Sequence, residues 1–219
     1  MIIAIDGPAG VGKSTVAKLL AARLGCLYLD TGALYRAVAW KILRSGIEPT
    51  DHEQVVKLLP STSLHMEFQN GAVQVSIDGV NVTGDLRTPE VTATASLVSA
   101  IPGVRAWLLP IQRQIGQRGS VVAEGRDVGT KVFPTAPYKF FLDADATIRV
   151  ERRHRELVAA GRGGAIEATR RDLSARDLRD QTRPIDPLVP APDARLIDTS
   201  LLSPEQVVEQ MIAAVSSEL

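Results

Sequence analysis

Short apolar runs alternate along this chain with longer stretches in which apolar residues recur at helical spacing. The runs that predict strands of a core sheet are residues 1–6, 27–29, 120–123, 138–142 and 195–198. The stretches that predict helices run from Lys13 to Gly25 and over residues 32–45, 104–118, 146–160, 165–183 and 204 to the C-terminus. Because the strands are separated by helices, we expect an α/β fold with a parallel sheet.

One segment interrupts this alternation with the two-residue period of a β-hairpin. Runs at 64–68 and 73–77 flank Asn70-Gly71, a dipeptide typical of tight hairpin turns. Asp78-Gly79 then turns the chain into a further short run at 80–82. We therefore expect a small antiparallel meander inserted into the α/β protein.

The turn after the first strand carries the strongest chemical signal. It reads Gly-Pro-Ala-Gly-Val-Gly-Lys-Ser and fits the P-loop pattern Gly-x4-Gly-Lys-Ser. In such a loop, backbone N–H groups surround phosphate oxygens, Lys13 bridges the β- and γ-phosphates, and Ser14 ligates Mg²⁺. A plain glycine-rich turn is the alternative, but the preceding strand and the following amphipathic helix favour a P-loop. The predicted nucleotide-binding residues are Gly7, Pro8, Ala9, Gly10, Val11, Gly12, Lys13, Ser14 and Thr15.

Composition excludes several classes of site and partner. The formal net charge of the 219 residues is zero, so we expect no broad electrostatic field for nucleic acid. The single cysteine, Cys26, excludes an internal disulfide and a cysteine-based metal site. His52, His65 and His154 lack ligand spacing, so we expect no structural metal. No apolar run predicts a membrane span, and a fold that begins at residue 2 predicts no signal peptide and a cytoplasmic location.

Arginines in loops distinguish this chain from other P-loop classes. The Asn-Lys-x-Asp motif of GTPases is absent, and the closest match to an apolar strand that ends in Asp is Val121–Glu124, which is short and ends in Glu. Arg36, in residues 30–36 after the second strand, can hold a second phosphate, although a surface arginine is the alternative. Residues 124–129 combine two glycines with three charges at the end of a core strand, which suits a binding site better than an ordinary turn.

A highly charged helix lies between a glycine-rich segment at 161–164 and a stretch with four prolines at 183–192. Charged residues that fall within roughly 80° of one another on this helix are Asp172, Arg176, Arg179, Asp180 and Arg183. Opposite charges four residues apart are typical of a solvated face. The flanking segments, together with the P-loop, favour a mobile lid that brings arginines onto phosphates.

Four motifs, in this order and spacing, resemble those of the bacterial cytidylate kinases, and the resemblance runs from Ile3 to the C-terminal helix. The motifs are Asp6–Ser14, Leu29–Arg36, Glu124–Thr130 with Val132–Pro134, and Arg183-Pro184 with Pro187–Ala191. The meander is similar to the enlarged monophosphate-binding part of the bacterial type. The resemblance implies a P-loop three-layer α/β fold, with a parallel five-stranded sheet flanked by helices and a small antiparallel β insert. The implied single kinase domain has a core at 1–30 and 101–219, a monophosphate-binding insert at 31–100 and a lid at 161–187.

The same resemblance implies transfer of the γ-phosphate of ATP to CMP and dCMP, with Mg²⁺ bound by Ser14. Motif by motif, the implied acceptor-phosphate arginines are Arg36, Arg126 and Arg183. The implied cytosine-reading residues are Ser96 and Arg105, from the helical stretch 91–118, and Asp127. The ribose contact falls on Asp180, the lid arginines on Arg176 and Arg179, and further substrate contacts on Thr31 and Tyr35. The implied catalytic set is Lys13, Arg126, Arg176 and Arg183.

Two alternatives stay open at this point. A P-loop kinase of a non-nucleotide metabolite such as shikimate would need neither the meander nor the cytosine-reading set. A nucleotide-binding regulator without turnover would not need an arginine lid between hinges. For the kinase we expect a monomer whose partners are CMP, dCMP and ATP, with no nucleic-acid polymer and no membrane.

Overall fold

The computed structural model describes residues 1–69 and 72–216. The strands are β1 (Ile2–Asp6), β2 (Leu27–Asp30), β3 (Leu64–Gln69), β4 (Ala72–Ile77), β5 (Val80–Asn81), β6 (Val121–Gly125), β7 (Tyr138–Asp143) and β8 (Arg195–Asp198). The α-helices are α1 (Lys13–Leu24), α2 (Thr31–Arg44), α3 (His52–Leu58), α4 (Pro89–Val98), α5 (Pro102–Gly116), α6 (Ala146–Ala159), α7 (Ile166–Thr182) and α8 (Pro204–Ser216). A 3₁₀ turn at Leu59–Ser61 and a π-helical turn at Val128–Val132 complete the regular elements.

The predicted parallel α/β architecture is confirmed. Among the described residues, five strands form one sheet in the order β2-β6-β1-β7-β8. The central strand β1 pairs in parallel with β6 and β7, and Asp6 at its carboxyl end lies in register with Gly125 and Phe141. The loops that follow β1 and β6 therefore leave the sheet at the same edge, which is where ligands bind in open α/β sheets.

The chain divides into two compact units. The first comprises Met1–Tyr28 and the chain from Gly119 onward, and the second comprises Leu29–Arg118. The division into a kinase core, a monophosphate-binding insert and a lid stays a prediction.

In the first unit, one face of the sheet packs against α1 and α8. Ile3 and Ile5 of β1 are fully buried with Leu20 of α1 and Met211 of α8. Residues 121–125 of β6 are buried on both faces, which explains their continuous apolar run. Gly25 ends α1 with a φ of +62°, as predicted. At the start of α8, Ser203 and Gln206 exchange hydrogen bonds in a capping box.

In the second unit, the predicted meander is confirmed as an antiparallel sheet in the order β3-β4-β5. The predicted Asn70-Gly71 turn lies outside the described residues. Asp78 and Gly79 have φ values of +51° and +79°, the left-handed pair that a two-residue hairpin turn requires. In the same unit, α2 packs against α4 and β4.

The helix predicted over 104–118 is α5, and the wider helical stretch 91–118 also contains the separate helix α4. The helix α4 ends at Val98, and α5 begins with Pro102, because proline favours the first helical position and disfavours a helical residue before it. No single helix in the described ranges is long and apolar enough to span a membrane, and α4 with α5 passes that test only as a pair bent by 102°.

Candidate active site

The loop between β1 and α1 has the backbone geometry of a P-loop. Gly7, Gly10 and Gly12 have φ values of +148°, +81° and +93°, which side chains disfavour. A Cβ on Gly7 would lie 2.1 Å from the carbonyl oxygen of Leu142 in β7, so the loop can pack this closely only with glycine. A Cβ on Gly12 would meet nothing within 4 Å, so this side of the loop has room for a ligand.

Lys13, the first residue of α1, is buried, and its Nζ donates to the carbonyl oxygen of Pro8 at 2.6 Å. Burial and then the guanidinium groups of Arg126 and Arg176 hold the pKa of Lys13 well below its usual range, while the Glu124 carboxylate opposes them. The structure therefore gathers three of the predicted catalytic cations at one place. Such a concentration of positive charge suits a cluster of phosphate oxygens.

Asp6, at the carboxyl end of β1, joins the P-loop to the loop after β6. Its carboxylate accepts N–H groups from Val128 at 2.8 Å and Gly129 at 2.7 Å. Burial raises the pKa of Asp6 to about 6, although these two hydrogen bonds and Lys13 lower it. Asp6 thus fixes the backbone directly after Arg126 and Asp127.

Asp180 on α7 is buried, and its carboxylate interacts with three arginines. Arg126 donates to it at 2.8 Å, and the Nε of Arg176 lies 3.9 Å from the same oxygen. Burial raises the pKa of Asp180, but Arg126, Arg176 and Arg183 outweigh it, so the net shift is downward. Asp180, the predicted ribose contact, is ionised here and shares its charge among the predicted phosphate-binding arginines.

Arg183 and Asp127 form a second buried pair. The Nη2 of Arg183 lies 3.4 Å from the Oδ1 of Asp127, and both side chains are almost completely buried. Arg183 also donates from Nε to the carbonyl oxygen of Asp186 at 2.7 Å. Arg126, the chain neighbour of Asp127, pairs with Asp180 instead.

The solvated-face interpretation of α7 is wrong for the side that carries these residues. Asp180 and Arg183 are buried, and Arg176 and Arg179 are half-buried. Only Asp172, at the edge of the predicted face, is exposed. The sequence suggested a solvated face because all five residues are charged. In the structure, the buried members pair with opposite charges: Asp180 with Arg126 and Arg176, and Arg183 with Asp127.

In the second unit, Asp30 positions the predicted phosphate-binding Arg36. The Asp30 carboxylate caps α2 by accepting the N–H of Ala33 at 2.9 Å, and it pairs with Arg36 at 2.7 Å and Arg87 at 3.7 Å. Burial raises the pKa of Asp30, but Arg36 and Arg87 bring it below the usual value. The helix terminus and the guanidinium therefore share one carboxylate.

The predicted base-reading residues of the second unit are buried. The guanidinium of Arg105 lies 5.7 Å from the ring centre of Tyr35, and its Nη1 donates to the carbonyl oxygen of Ser99 at 3.1 Å. Ser96 and Thr31 are buried as well. The structure thus places Arg105 beside Tyr35 and binds it to Ser99, three residues after Ser96.

Sequence reasoning missed Asp6, Arg149 and Asp177 as parts of this site. A carboxylate at the end of a buried strand, directly before the P-loop, is a signal that could have pointed to Asp6. No local signal points to Arg149 and Asp177, because they meet the P-loop residue Ala9 across 140 and 168 positions of chain.

The donor set for a metal at this site is sparse. Residues 1–69 and 72–216 contain no cluster of three or more His, Cys, Asp or Glu side chains that could hold an ion. Ser14 is half-buried in the first turn of α1, directly after Lys13. One hydroxyl beside a phosphate site fits Mg²⁺, which keeps several waters and takes its other ligands from phosphates.

Comparisons with known proteins agree on the family. The model of the family described as cytidylate kinase matches residues 3–217. A "Cytidylate kinase" from Desulfitobacterium hafniense (strain Y51) is 44% identical over 217 residues, which are 99% of this chain and 93% of that protein. A "Bifunctional pantoate ligase/cytidylate kinase" from Synechococcus sp. (strain JA-2-3B'a(2-13)) is 47% identical over 96% of this chain, which spans 40% of that relative's length. The crystal structure of an uncharacterized protein from Eubacterium ventriosum ATCC 27560 has a TM-score of 0.54 at 13% identity, covers 99% and 98% of the two chains, and supports the fold alone.

Proposed function

Since the chain belongs to the cytidylate kinase family, we propose that it transfers the γ-phosphate of ATP to CMP and dCMP. The observation that carries this proposal is that Lys13 lies against the P-loop carbonyl of Pro8 and interacts electrostatically with Arg126 and Arg176, which both pair with Asp180. Phosphoryl transfer needs positioned reactants and neutralised charge rather than a covalent intermediate. A phosphate acceptor is already a nucleophile, so the reaction needs no general base.

The cations have distinct proposed tasks. Lys13 binds the transferring phosphoryl group of ATP, and Arg126, Arg176 and Arg183 offset the repulsion between donor and acceptor phosphates. The carboxylates of Asp180 and Asp127 hold three of these guanidinium groups in defined places before the substrate arrives. When Mg²⁺ is bound at Ser14, it neutralises charge on the β- and γ-phosphate oxygens.

The second unit supplies proposed acceptor contacts of its own. Arg36, held by Asp30, binds the acceptor phosphate. Arg105 donates to N3 or O2 of cytosine, with Ser96, Thr31 and Tyr35 as further contacts. In the first unit, Asp127 accepts from the cytosine N4 amino group, and Asp180 contacts the ribose. Uracil presents O4 to the carboxylate and an N3 donor to the guanidinium, which mismatches both.

Family membership favours CMP over shikimate as the acceptor, and the gathered cations favour turnover over a purely regulatory role. Coupled ADP release separates these alternatives when ATP is supplied with CMP, dCMP, UMP or shikimate, or with no acceptor. We expect release that depends on CMP or dCMP. Release that ignores CMP, or that requires shikimate, contradicts the proposal.

Lys13→Ala is the matched test of the site, and Lys18→Ala is its control because Lys18 is exposed on the same helix. We expect Lys13→Ala to lower kcat at least ~100-fold, the cost of removing one preorganised charge-stabilising group. The control should keep wild-type turnover. Equal rates in the two variants contradict the proposed role of Lys13.

A further inference from the structure

The backbone of the P-loop residue Ala9 is held by an ion pair from two later helices. Its N–H donates to the Oδ1 of Asp177 on α7 at 3.4 Å, and its carbonyl oxygen accepts from the Nη1 of Arg149 on α6 at 3.2 Å. Arg149 and Asp177 are also paired directly with each other. One ion pair therefore binds both polar groups of a single P-loop residue.

A separate apolar cluster holds the same residue. Ala9, Val150 of α6 and Leu173 of α7 form a small buried group of their own. The P-loop approaches α6 so closely that a Cβ on Gly10 would lie 2.8 Å from the carbonyl oxygen of Arg149. Polar and apolar contacts thus meet at Ala9 from both helices.

These contacts fix α7 on the P-loop directly beside Arg176. Asp177 directly follows Arg176, and it precedes by three residues Asp180, which holds Arg126. A slip of α7 by one turn would move Arg176 by about 5.4 Å. Phosphoryl transfer is sensitive to far smaller errors, because a displacement of about 1 Å can cost ~100-fold in rate.

We infer that Asp177 and Arg149 are positioning residues that set the register of α7 on the P-loop and thereby place the Arg176 guanidinium for phosphoryl transfer. The inference rests on the proposed kinase function. Neither side chain contacts substrate in this scheme: both act through Ala9 and the helix that carries Arg176. Arg149 holds its place through a further bond from Nε to the carbonyl oxygen of Ala144 at 3.2 Å.

The first experiment compares Asp177→Ala with Asp172→Ala, an exposed aspartate of the same helix. We expect Asp177→Ala to lower kcat for CMP phosphorylation by ~10- to 100-fold with smaller changes in KM, as a misplaced catalytic group does. Asp177→Asn keeps an oxygen for the Ala9 N–H and should recover part of the loss. Asp172→Ala should match the wild type.

The second experiment asks whether Asp177 acts through Arg176. In an Arg176→Ala background, Asp177→Ala should cost less than about 2-fold more, because the group that it positions is already gone. If the two losses multiply, Asp177 acts elsewhere and the inference is wrong. If Asp177→Ala does not fold, Arg149→Lys decides, since lysine keeps the charge without the planar fork, and a wild-type kcat in that variant overturns the inference.

Hydrogen exchange supplies a readout that does not depend on turnover. In Asp177→Ala, amides of α7 should exchange faster while those of α8 stay as in the wild type. Unchanged protection in α7 refutes the docking role. The wild type is assayed first: absence of CMP-dependent ADP release refutes the proposed function, whereas a normal wild type with a fully active Asp177→Ala refutes the positioning role alone.

Discussion

Replacing Asp6 by Asn should change the way in which stability depends on pH. The carboxyl group is buried at the end of β1 and accepts two backbone N–H groups, from Val128 and Gly129. Burial raises its pKa to about 6, from an ordinary value of 3.8. Asp127 also raises this pKa and Lys13 lowers it, so the shifted pKa exists only in the folded protein.

The sign of the effect follows from proton binding. Between pH 4 and pH 6, the folded protein holds a proton on Asp6 that the unfolded chain has lost, so the free energy of unfolding decreases as the pH rises. This contribution is complete below about pH 4 and is lost above about pH 6. A rise of the Asp6 pKa from 3.8 to about 6 corresponds to about 3 kcal/mol of stability. Asn does not titrate, so Asp6→Asn should lack this slope.

Urea unfolding at half-unit pH steps from 4 to 7.5, followed by circular dichroism, measures the difference between the two proteins. Groups that do not interact with Asp6 cancel in the difference, which reports Asp6 together with the neighbours coupled to it, Asp127 and Lys13. We expect the stability of the wild type relative to Asp6→Asn to fall by up to about 3 kcal/mol across this range.

Asp145→Asn provides a control of opposite sign. Asp145 caps α6 by accepting the N–H of Thr147, and this hydrogen bond holds its pKa below the ordinary value. Its contribution to stability is therefore present at neutral pH and lost on acidification. For Asp6, the reasoning is refuted if the stability curves of the wild type and Asp6→Asn are parallel, or if the stability of the wild type relative to Asp6→Asn increases with pH.

Three further predictions concern the same part of the molecule. Arg126→Ala and Arg183→Ala should lower kcat/KM for CMP far more than they change the Kd of a non-hydrolysable ATP analogue; loss of analogue binding with normal CMP saturation contradicts their role at the acceptor. Asp127→Asn should lower the CMP to UMP ratio of kcat/KM by an amount equivalent to ~1–3 kcal/mol, the cost of one mismatched buried polar contact. If the ratio stays unchanged while both substrates react more slowly, Asp127 supports the fold of the site and does not read the base. Gly7→Ala should destabilise the fold by roughly 1–3 kcal/mol or more, because its Cβ would lie 2.1 Å from the carbonyl oxygen of Leu142; a Tm equal to the wild type refutes that packing.

The features that sequence predicted well have local causes. The P-loop, the core strands and the capping box at Ser203 each depend on a few neighbouring residues, and all lie where the pattern predicts. The helix α3 was not predicted, and α4 was anticipated only as part of the helical stretch 91–118.

The pairing of charges depends on distant contacts instead. Arg126 pairs with Asp180, 54 positions away, rather than with its neighbour Asp127. Asp6 is bound to backbone 122 and 123 positions away. No periodicity encodes such partners, so the burial of a charged helix face is visible only once the fold brings the opposite charges together. The roles of these residues toward substrate stay predictions.

The central place of β1 in the sheet has a consequence for biosynthesis. The strand β1 pairs with two strands that begin at Val121 and Tyr138, more than 100 residues later along the chain. At roughly 5–20 residues per second, an apolar strand that ends in the P-loop waits about 7–30 seconds for its neighbours. Leu29–Arg118, by contrast, is one uninterrupted segment that is complete before either neighbour of β1 is made. We therefore expect the nascent chain to fold from its middle outward, with Ile2–Asp6 as the stretch most exposed to chaperones in the meantime.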